Sequence, residues 1–358
     1  MYRNTKNVPY YVFGRGSLAQ LGDLLKPRRE AVDGPVVYFV DHFFRDHELI
    51  GRLPMEKGDQ LHFVDSSSEP EVTRIDAFKE AVSAADSRTP CCVVGIGGGN
   101  ALDTAKAVAN LLTNPGKAED YQGWELVKNP AVYKIGIPTL SGTGSECSRT
   151  CVLTNIPKNL KLGMNSDYTV YDQLLLDPDL LATVPRDQYF YTGIDTFMHC
   201  VESLQGSYRN AIIDAFSVRA VQLCEEIFLS DDMMSEDNRE KMMIASYIGG
   251  MAAGNVGVIH PFSAGLGVVL HVAHGLGNCL ALNVLGDIYP KEYKQFRTMI
   301  ERQGVNLPTG ICKDLTKEQY EGLYRGCIVH EKPLTNALGP DFKQILTREN
   351  LIERYKSI

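Results

Sequence analysis

The stretch Val93–Lys106, VVGIGGGNALDTAK, changes character at its centre. Its first half is a short apolar run that ends in Gly95, Gly97, Gly98 and Gly99, and its second half is patterned as a helix. The pattern predicts a buried strand that turns at once into a helix. Glycines at such a junction let a pyrophosphate approach the backbone, and the helix N-terminus offers free N–H groups and positive potential. The GxGxxG dinucleotide fingerprint is not met, because its sixth place is Asn100, and the P-loop pattern is absent. Taken alone, the stretch is equally well explained as a tight strand-to-helix turn.

The same alternation recurs around it. PVVYFVD (35–41), QLHFVD (60–65) and VYKIGIPT (132–139) read as strands, and about 71–85 and the residues after Gly99 read as helices. Strand and helix in repeated order imply a parallel sheet covered on both faces, which binds ligands at the carboxyl ends of its strands. From about Pro185 onward strand signals nearly vanish. Helical patterns run over Asp187–Leu204, Asn210–Phe228 and Ser235–Ala253, and another begins near Gly257. The prolines of LLLDPDLLATVP (174–185) place a boundary near residue 184. The expected fold is a Rossmann-like α/β dinucleotide-binding domain over 1–184 and an all-α, metal-binding domain over 185–358, with a cleft between them, since 358 residues exceed the usual single core.

Composition narrows the function. Hydrophobic residues make up 44% and charged residues 22%, the proportions of a globular protein with a large core. A net charge of -8 with interspersed signs argues against nucleic acid or an anionic membrane as partner. The polar start, MYRNTKNVPYYVFGRG, is unlike a signal peptide and no run reaches the length of a membrane span, so a cytoplasmic location is expected. Nine cysteines without a CxxC pair read as free, mostly buried thiols.

Three further features bear on a nucleotide. IPTLSGTGSE (137–146) is rich in hydroxyls at the end of an apolar run, and Thr139, Ser141, Thr143 and Ser145 are candidate donors to phosphate or to a nicotinamide amide. Asp41 closes an early strand, where a carboxylate binds ribose hydroxyls and repels a 2′-phosphate, favouring NAD over NADP. A helix cap is its structural alternative.

A different chemistry appears in YTGIDTFMHCVES (191–203), where Asp195 and His199 stand i, i+4 on one helical face. Downstream, GVIHPFSAGLGVVLHVAHGLG (257–277) places His260, His271 and His274 in a nearly uncharged run. Buried imidazoles need partners, since an unsatisfied buried polar group costs about 1 to 3 kcal/mol. An unbroken helix would hold His260 and His274 about 20 Å apart. A break at Gly265 and Gly267 is expected to fold the chain back, with another terminus at His274 and Gly275. One carboxylate and three imidazoles suit a divalent iron or zinc ion, Fe2+ or Zn2+.

Together these motifs resemble the iron-containing, group III alcohol dehydrogenases. The family's GGGSxxDxAK stands here as GGGNALDTAK, its PTTxGTGSE as PTLSGTGSE and its metal helix GxDxxxHxxE as GIDTFMHCVE, and the resemblance weakens after about Leu282. It implies the dehydroquinate synthase-like fold, NAD, one divalent metal ion, a small-molecule substrate and a homodimer or larger homo-oligomer. It places metal ligands at Asp195, His199, His260 and His274, and cofactor contacts at Asp41, Gly97, Gly98, Gly99, Asn100, Asp103, Thr139, Thr143 and Lys161. The implied reaction is oxidation of a primary hydroxyl to an aldehyde.

The chain departs from the pattern at three places: Ala264 stands where many members carry a proton-transferring histidine, Asn100 replaces a serine, and Glu69 an asparagine. His271 is the substitute nearest in sequence as proton relay. The overall pattern also resembles the branch that oxidises the C8 hydroxyl of 3-deoxy-D-manno-octulosonate in lipopolysaccharide sugar biosynthesis, for whose carboxylate Arg149, Lys161 and Arg209 are candidate partners. Dehydrogenases of lactaldehyde, butanol or glycerol type are the alternative within the family. A dehydroquinate-synthase-like lyase and a non-catalytic NAD-binding subunit are the alternatives outside it.

Overall fold

The computed structural model describes residues 6–158 and 160–358, and the first five residues of the polar N-terminus lie outside them. Among the described residues there are nine strands: β1 (Tyr10–Phe13), β2 (Val36–Asp41), β3 (Gln60–Val64), β4 (Cys92–Gly97), β5 (Gly123–Trp124), β6 (Lys134–Pro138), β7 (Thr150–Asn155), β8 (Leu160–Asn165) and β9 (Gln173–Leu176). Six of them make one parallel sheet in the order β1-β9-β6-β4-β2-β3. The remaining three form a small sheet in which β8 pairs parallel with β5 and antiparallel with β7.

The large sheet is apolar on both faces. Val37, Phe39 and Val93 join a core with helices α2 (Val72–Ala85) and α3 (Gly99–Leu111). Val36, Tyr38, Val40, Cys92 and Val94 point the other way, into a core with α1 (Leu21–Ala31). That continuous apolar run on β2 and β4 is the signature of a parallel strand with helices on each side. The expected helix after Glu71 and the turn from β4 into α3 are both present.

By its internal packing the chain divides into two compact units. One runs to Leu140 and resumes over Ser145–Thr183, and the other holds Ser141–Gly144 with Val184–Ile358. The second unit is helical: α4 (Arg186–Gln205), α5 (Ala211–Phe228), α6 (Glu236–Gly249), α7 (Ile259–Leu270), α8 (His274–Val284), α9 (Pro290–Gln303), α10 (Lys317–Ile328), α11 (Glu331–Leu338), α12 (Phe342–Ile345) and α13 (Arg348–Lys356). Asn210 caps α5 and Ser235 caps α6, each accepting from a backbone N–H of the first turn. Among the described residues no single helix is long and apolar enough to cross a membrane. All nine cysteines are free and buried.

The expected break at Gly265 and Gly267 is corrected. Helix α7 runs unbroken through both, and Gly265 instead serves close packing, since a Cβ there would stand 2.7 Å from the Leu323 carbonyl of α10. The chain turns back at His271, which adopts the left-handed conformation (φ 55°) and caps α7. Val272 N–H donates to Leu266 O and His271 N–H to Gly267 O, two bonds that close the helix end at the left-handed residue. Helix α8 then opens at His274.

In the first unit Asp59 joins three elements. Its carboxylate receives both Arg29 guanidinium nitrogens of α1 (2.9 and 2.5 Å), the N–H of Val36 at the start of β2 (2.9 Å) and the N–H of Glu56 (2.8 Å). Burial raises the Asp59 pKa, but these donors outweigh it and hold the group below the usual carboxylate range. Asp59→Asn should therefore cost about 2 kcal/mol at neutral pH, measured by denaturant unfolding. Because the folded pKa is the lower one, the stabilisation is intact above about pH 4 and is lost as the pH falls through the folded value. The gap between parent and variant should close in acid and stay constant from pH 5 to 8.

Candidate functional site

The glycine turn is built by β4 and α3. Gly97 has φ 150°, and a Cβ on it would lie 2.7 Å from the Ala101 Cβ and 2.9 Å from the Asp41 Cβ, so only glycine keeps the two strand ends this close. Gly98 and Gly99 lead directly into the first turn of α3, leaving its N-terminal amides without a side-chain cap. Asp41 lies beside Gly97 at the end of β2. Its Oδ1 accepts from Phe43 N–H (3.0 Å) and Ser66 Oγ (2.9 Å), so it caps a short helical turn. Asn100 Nδ2 donates to Ser68 O (2.8 Å) and Ser66 O (3.3 Å), tying the same loop to the start of α3.

Other expected cofactor residues are engaged by the protein itself. Asp103 accepts from Ser145 Oγ in a close contact and from Val152 N–H at 2.8 Å, with Lys106 Nζ 3.3 Å away. One oxygen thus anchors the 139–150 segment and the other the strand β7 that follows it. Thr139 N–H donates to Gly97 O (3.0 Å), placing it next to the glycine turn. Ser141 Oγ is buried without a hydrogen-bond partner, while Ser141 and Thr143 belong to the segment that packs with the helical unit. Lys161 Nζ meets Glu69 Oε1 at 2.9 Å, so the residue that replaces the expected asparagine neutralises the expected ribose lysine.

The second constellation lies within the helical unit. Asp195, His199, His260 and His274 bring four potential ligand atoms within 4.8 Å of one another. Asp195 and His199 come from α4, whose middle is buried on every side, His260 from the first turn of α7 and His274 from the first residue of α8. The left-handed turn at His271 carries His260 and His274 to one place. His271 itself is exposed and stands outside the cluster.

From Asp195 the imidazole Nε2 atoms of His260, His274 and His199 lie 3.1, 3.6 and 3.7 Å away. A tetrahedral ion with ligand distances of about 2.0 to 2.2 Å separates its donors by about 3.3 to 3.5 Å. The three distances to Asp195 therefore lie close to those between donors on one ion. Asp195 Oδ2 and His199 Nδ1 are buried without hydrogen-bond partners, the pattern of a donor set that expects a cation.

Burial raises the Asp195 pKa, but the imidazoles of His199, His274 and His260 outweigh it and keep the group ionised, below the usual carboxylate range. Burial pushes His199 down to about 3, leaving the neutral imidazole that binds a metal. Burial also lowers His260, but Glu202 and Asp195 overcome it and raise its pKa.

Asn278 escaped the sequence reading, and Glu202 entered it only as the last letter of the metal-helix motif, without a role. Asn278 Nδ2 donates to Asp195 Oδ1 at 2.6 Å and stands 3.3 to 3.4 Å from the Nε2 atoms of His274 and His260. Glu202 contacts His260 Nδ1. Their only local signals were position i+4 from His274 and i+3 from His199. Ala264, one turn after His260, is buried and brings no proton-carrying group.

Comparison with known proteins identifies the family. The iron-containing alcohol dehydrogenase model matches residues 9–178, and the C-terminal model of the Fe-containing alcohol dehydrogenase family matches 189–320. The chain belongs to the iron-containing alcohol dehydrogenase family. It is in class an NAD-dependent oxidoreductase with one divalent metal ion.

The sulfoacetaldehyde reductase of Bilophila wadsworthia is 34% identical over 60% of this chain, a match that spans 56% of that enzyme's length. The NAD-dependent methanol dehydrogenase of Bacillus methanolicus is 29% identical over 75% of this chain and 71% of its own. The crystal structure of sulfoacetaldehyde reductase from Bifidobacterium kashiwanohense in complex with NAD+ superposes with a TM-score of 0.80 over 99% of this chain and 98% of that one, at 24% identity. That likeness establishes the fold.

The left-handed backbone at His271 costs an L-residue about 1 to 2 kcal/mol that glycine escapes. After the entropy that glycine loses on folding, His271→Gly should raise stability by about 0.5 to 1 kcal/mol in thermal or denaturant unfolding.

Proposed function

We propose that this chain interconverts a small primary alcohol and its aldehyde, with Asp195, His199, His260 and His274 holding the divalent ion and the β4–α3 turn holding the NAD pyrophosphate. The single observation that carries the reading is the four-residue donor cluster on α4, α7 and α8, in a chain matched by both family models. When bound, the ion supplies Lewis acidity toward the substrate oxygen, and the nicotinamide supplies the redox chemistry.

The chain's own residues do the rest. Asp195 contributes one negative charge, and His199, His260 and His274 contribute neutral donors whose helices fix their directions. Gly97, Gly98 and Gly99 keep side chains away from the pyrophosphate, and the uncapped amides of α3 face it. Asp41 addresses the adenosine ribose, with Asn100, Thr139, Ser141, Thr143 and Lys161 around the remaining cofactor groups. Asp103 acts by anchoring the loop that carries the hydroxyls. With alanine at 264, the exposed His271 is the imidazole that passes the proton to water. The chain acts as a homo-oligomer in this reading.

Small alcohols and aldehydes are favoured over the octulosonate sugar acid. The relatives are named for sulfoacetaldehyde, methanol and 1-propanol. The three cations considered for a sugar carboxylate already face carboxylates: Arg149 pairs with Glu125 and Asp167, Arg209 with Asp214, and Lys161 with Glu69.

The metal-loaded protein, iron and zinc in parallel, should form NADH from 1-propanol, 1,2-propanediol or butanol. Turnover of octulosonate alone would overturn the substrate class, and no turnover of any would overturn the dehydrogenase reading. His271→Gly should lower kcat and leave metal affinity at the parental value; an unchanged kcat removes His271 from the proton path. His260→Ala should abolish metal binding in chelator competition while NAD affinity, read by fluorescence, stays within about twofold. Collapse of both together would refute two separate sites.

A further inference from the structure

His199 and His260 share the cluster but are held differently. His199 Nδ1 is buried with no hydrogen-bond partner. His260 Nδ1 meets Glu202 Oε2 in a close contact, which leaves His260 Nε2 directed at Asp195, 3.1 Å away. Glu202 lies seven residues after Asp195 and three after His199, on the same face of α4, and is 1% exposed.

A carboxylate that deep is tolerated only where donors satisfy it, and here they converge from two other elements. Its second oxygen accepts the N–H of Ile259 at 2.6 Å and the hydroxyl of Tyr289 at 3.3 Å. The same tyrosine oxygen accepts the N–H of Val258 at 3.1 Å. The chain clears this pair only because residue 257 is glycine. A Cβ there would stand 2.4 Å from the Tyr289 hydroxyl and 3.0 Å from Glu202 Oε1. Residues 257–259 are thus wrapped around one buried carboxylate, and His260 follows at once.

We propose that Glu202 is the positioning residue of the metal centre, acting through His260, with Tyr289 as its clamp. By accepting from Nδ1–H it selects the tautomer whose Nε2 lone pair faces Asp195, fixes the ring plane, and lends the imidazole negative charge that strengthens it as a donor. Such outer carboxylates typically contribute 10 to 100-fold to metal affinity. This rests on the metal reading above and assigns to Glu202 a part that its place in the motif leaves open. The competing role is structural: a carboxylate that merely secures the 257–259 turn would affect folding and nothing else.

The test strips the full chain with chelator and titrates it with Zn2+ against a chromophoric competitor, and with Co2+ while recording the visible spectrum. Glu202→Gln keeps the size and an acceptor oxygen but loses the charge, and should bind Zn2+ about tenfold more weakly. Glu202→Ala should lie toward the hundredfold end of the range, with an altered Co2+ spectrum. Tyr289→Phe should lose less, in the same direction, and NAD affinity should remain parental in all three.

Parental Zn2+ affinity and Co2+ spectrum in Glu202→Gln and Glu202→Ala overturn the proposal, whether or not the melting temperature falls. If Glu202→Ala does not fold, Glu202→Gln decides alone. Failure of the parent to bind either ion overturns the metal reading itself, a result distinct from failure of the Glu202 assignment.

Discussion

Asp195 carries a carboxylate with no exposed surface, and such a charge costs several kcal/mol unless donors or cations meet it. What meets it are His260, His274, His199 and the amide of Asn278, delivered by α4, α7 and α8. These do not complete the account. His199 is pushed toward its neutral form, and Asp195 Oδ2 keeps no hydrogen-bond partner. A divalent cation among the four donors would supply the missing positive charge and would take the imidazoles in their neutral form. Much of the local geometry follows from this demand: the burial of α4, the reversal between α7 and α8, and the wrapping of residues 257–259 around Glu202.

The four residues of the donor cluster were legible because each carries a local mark. Asp195 and His199 share a helical face at i, i+4, and His260 and His274 stand out against an apolar run. Where the chain reverses was not legible. Glycine weakens an isolated helix, so Gly265 and Gly267 read as the break. Tertiary packing overrides that tendency, because α10 comes so close that a side chain at Gly265 would strike its backbone. The turn falls on a histidine in the left-handed region, where propensity points to glycine or asparagine.

The parallel sheet and the β4–α3 turn were legible for the same reason, since strand, glycines and helix are neighbours in sequence. What the sequence conceals are pairings across long separations. Glu202 finds His260 58 residues away, Asn278 finds Asp195 83 residues away, and Glu69 finds Lys161 92 residues away. None of these partners is marked by spacing. The same holds for β1, whose exposed aromatic residues lack the alternation of a half-buried strand, and for the β7–β8 hairpin.

Counting charge at the metal cluster sharpens the substrate question. Asp195 and Glu202 are both buried, and both lie against the His260 imidazole. Their two negative charges balance the two positive charges of a divalent ion, while neutral imidazoles add none. An anionic substrate then gains little net attraction from the centre and must find a cation elsewhere on the protein. Arg149, Lys161 and Arg209 each hold a carboxylate already, so recruiting one of them means breaking an existing ion pair and leaving its partner uncompensated. A neutral alcohol incurs neither cost. It needs only a hydroxyl to reach the ion and a path for one proton, and that path is the function this chain must rebuild around alanine at position 264.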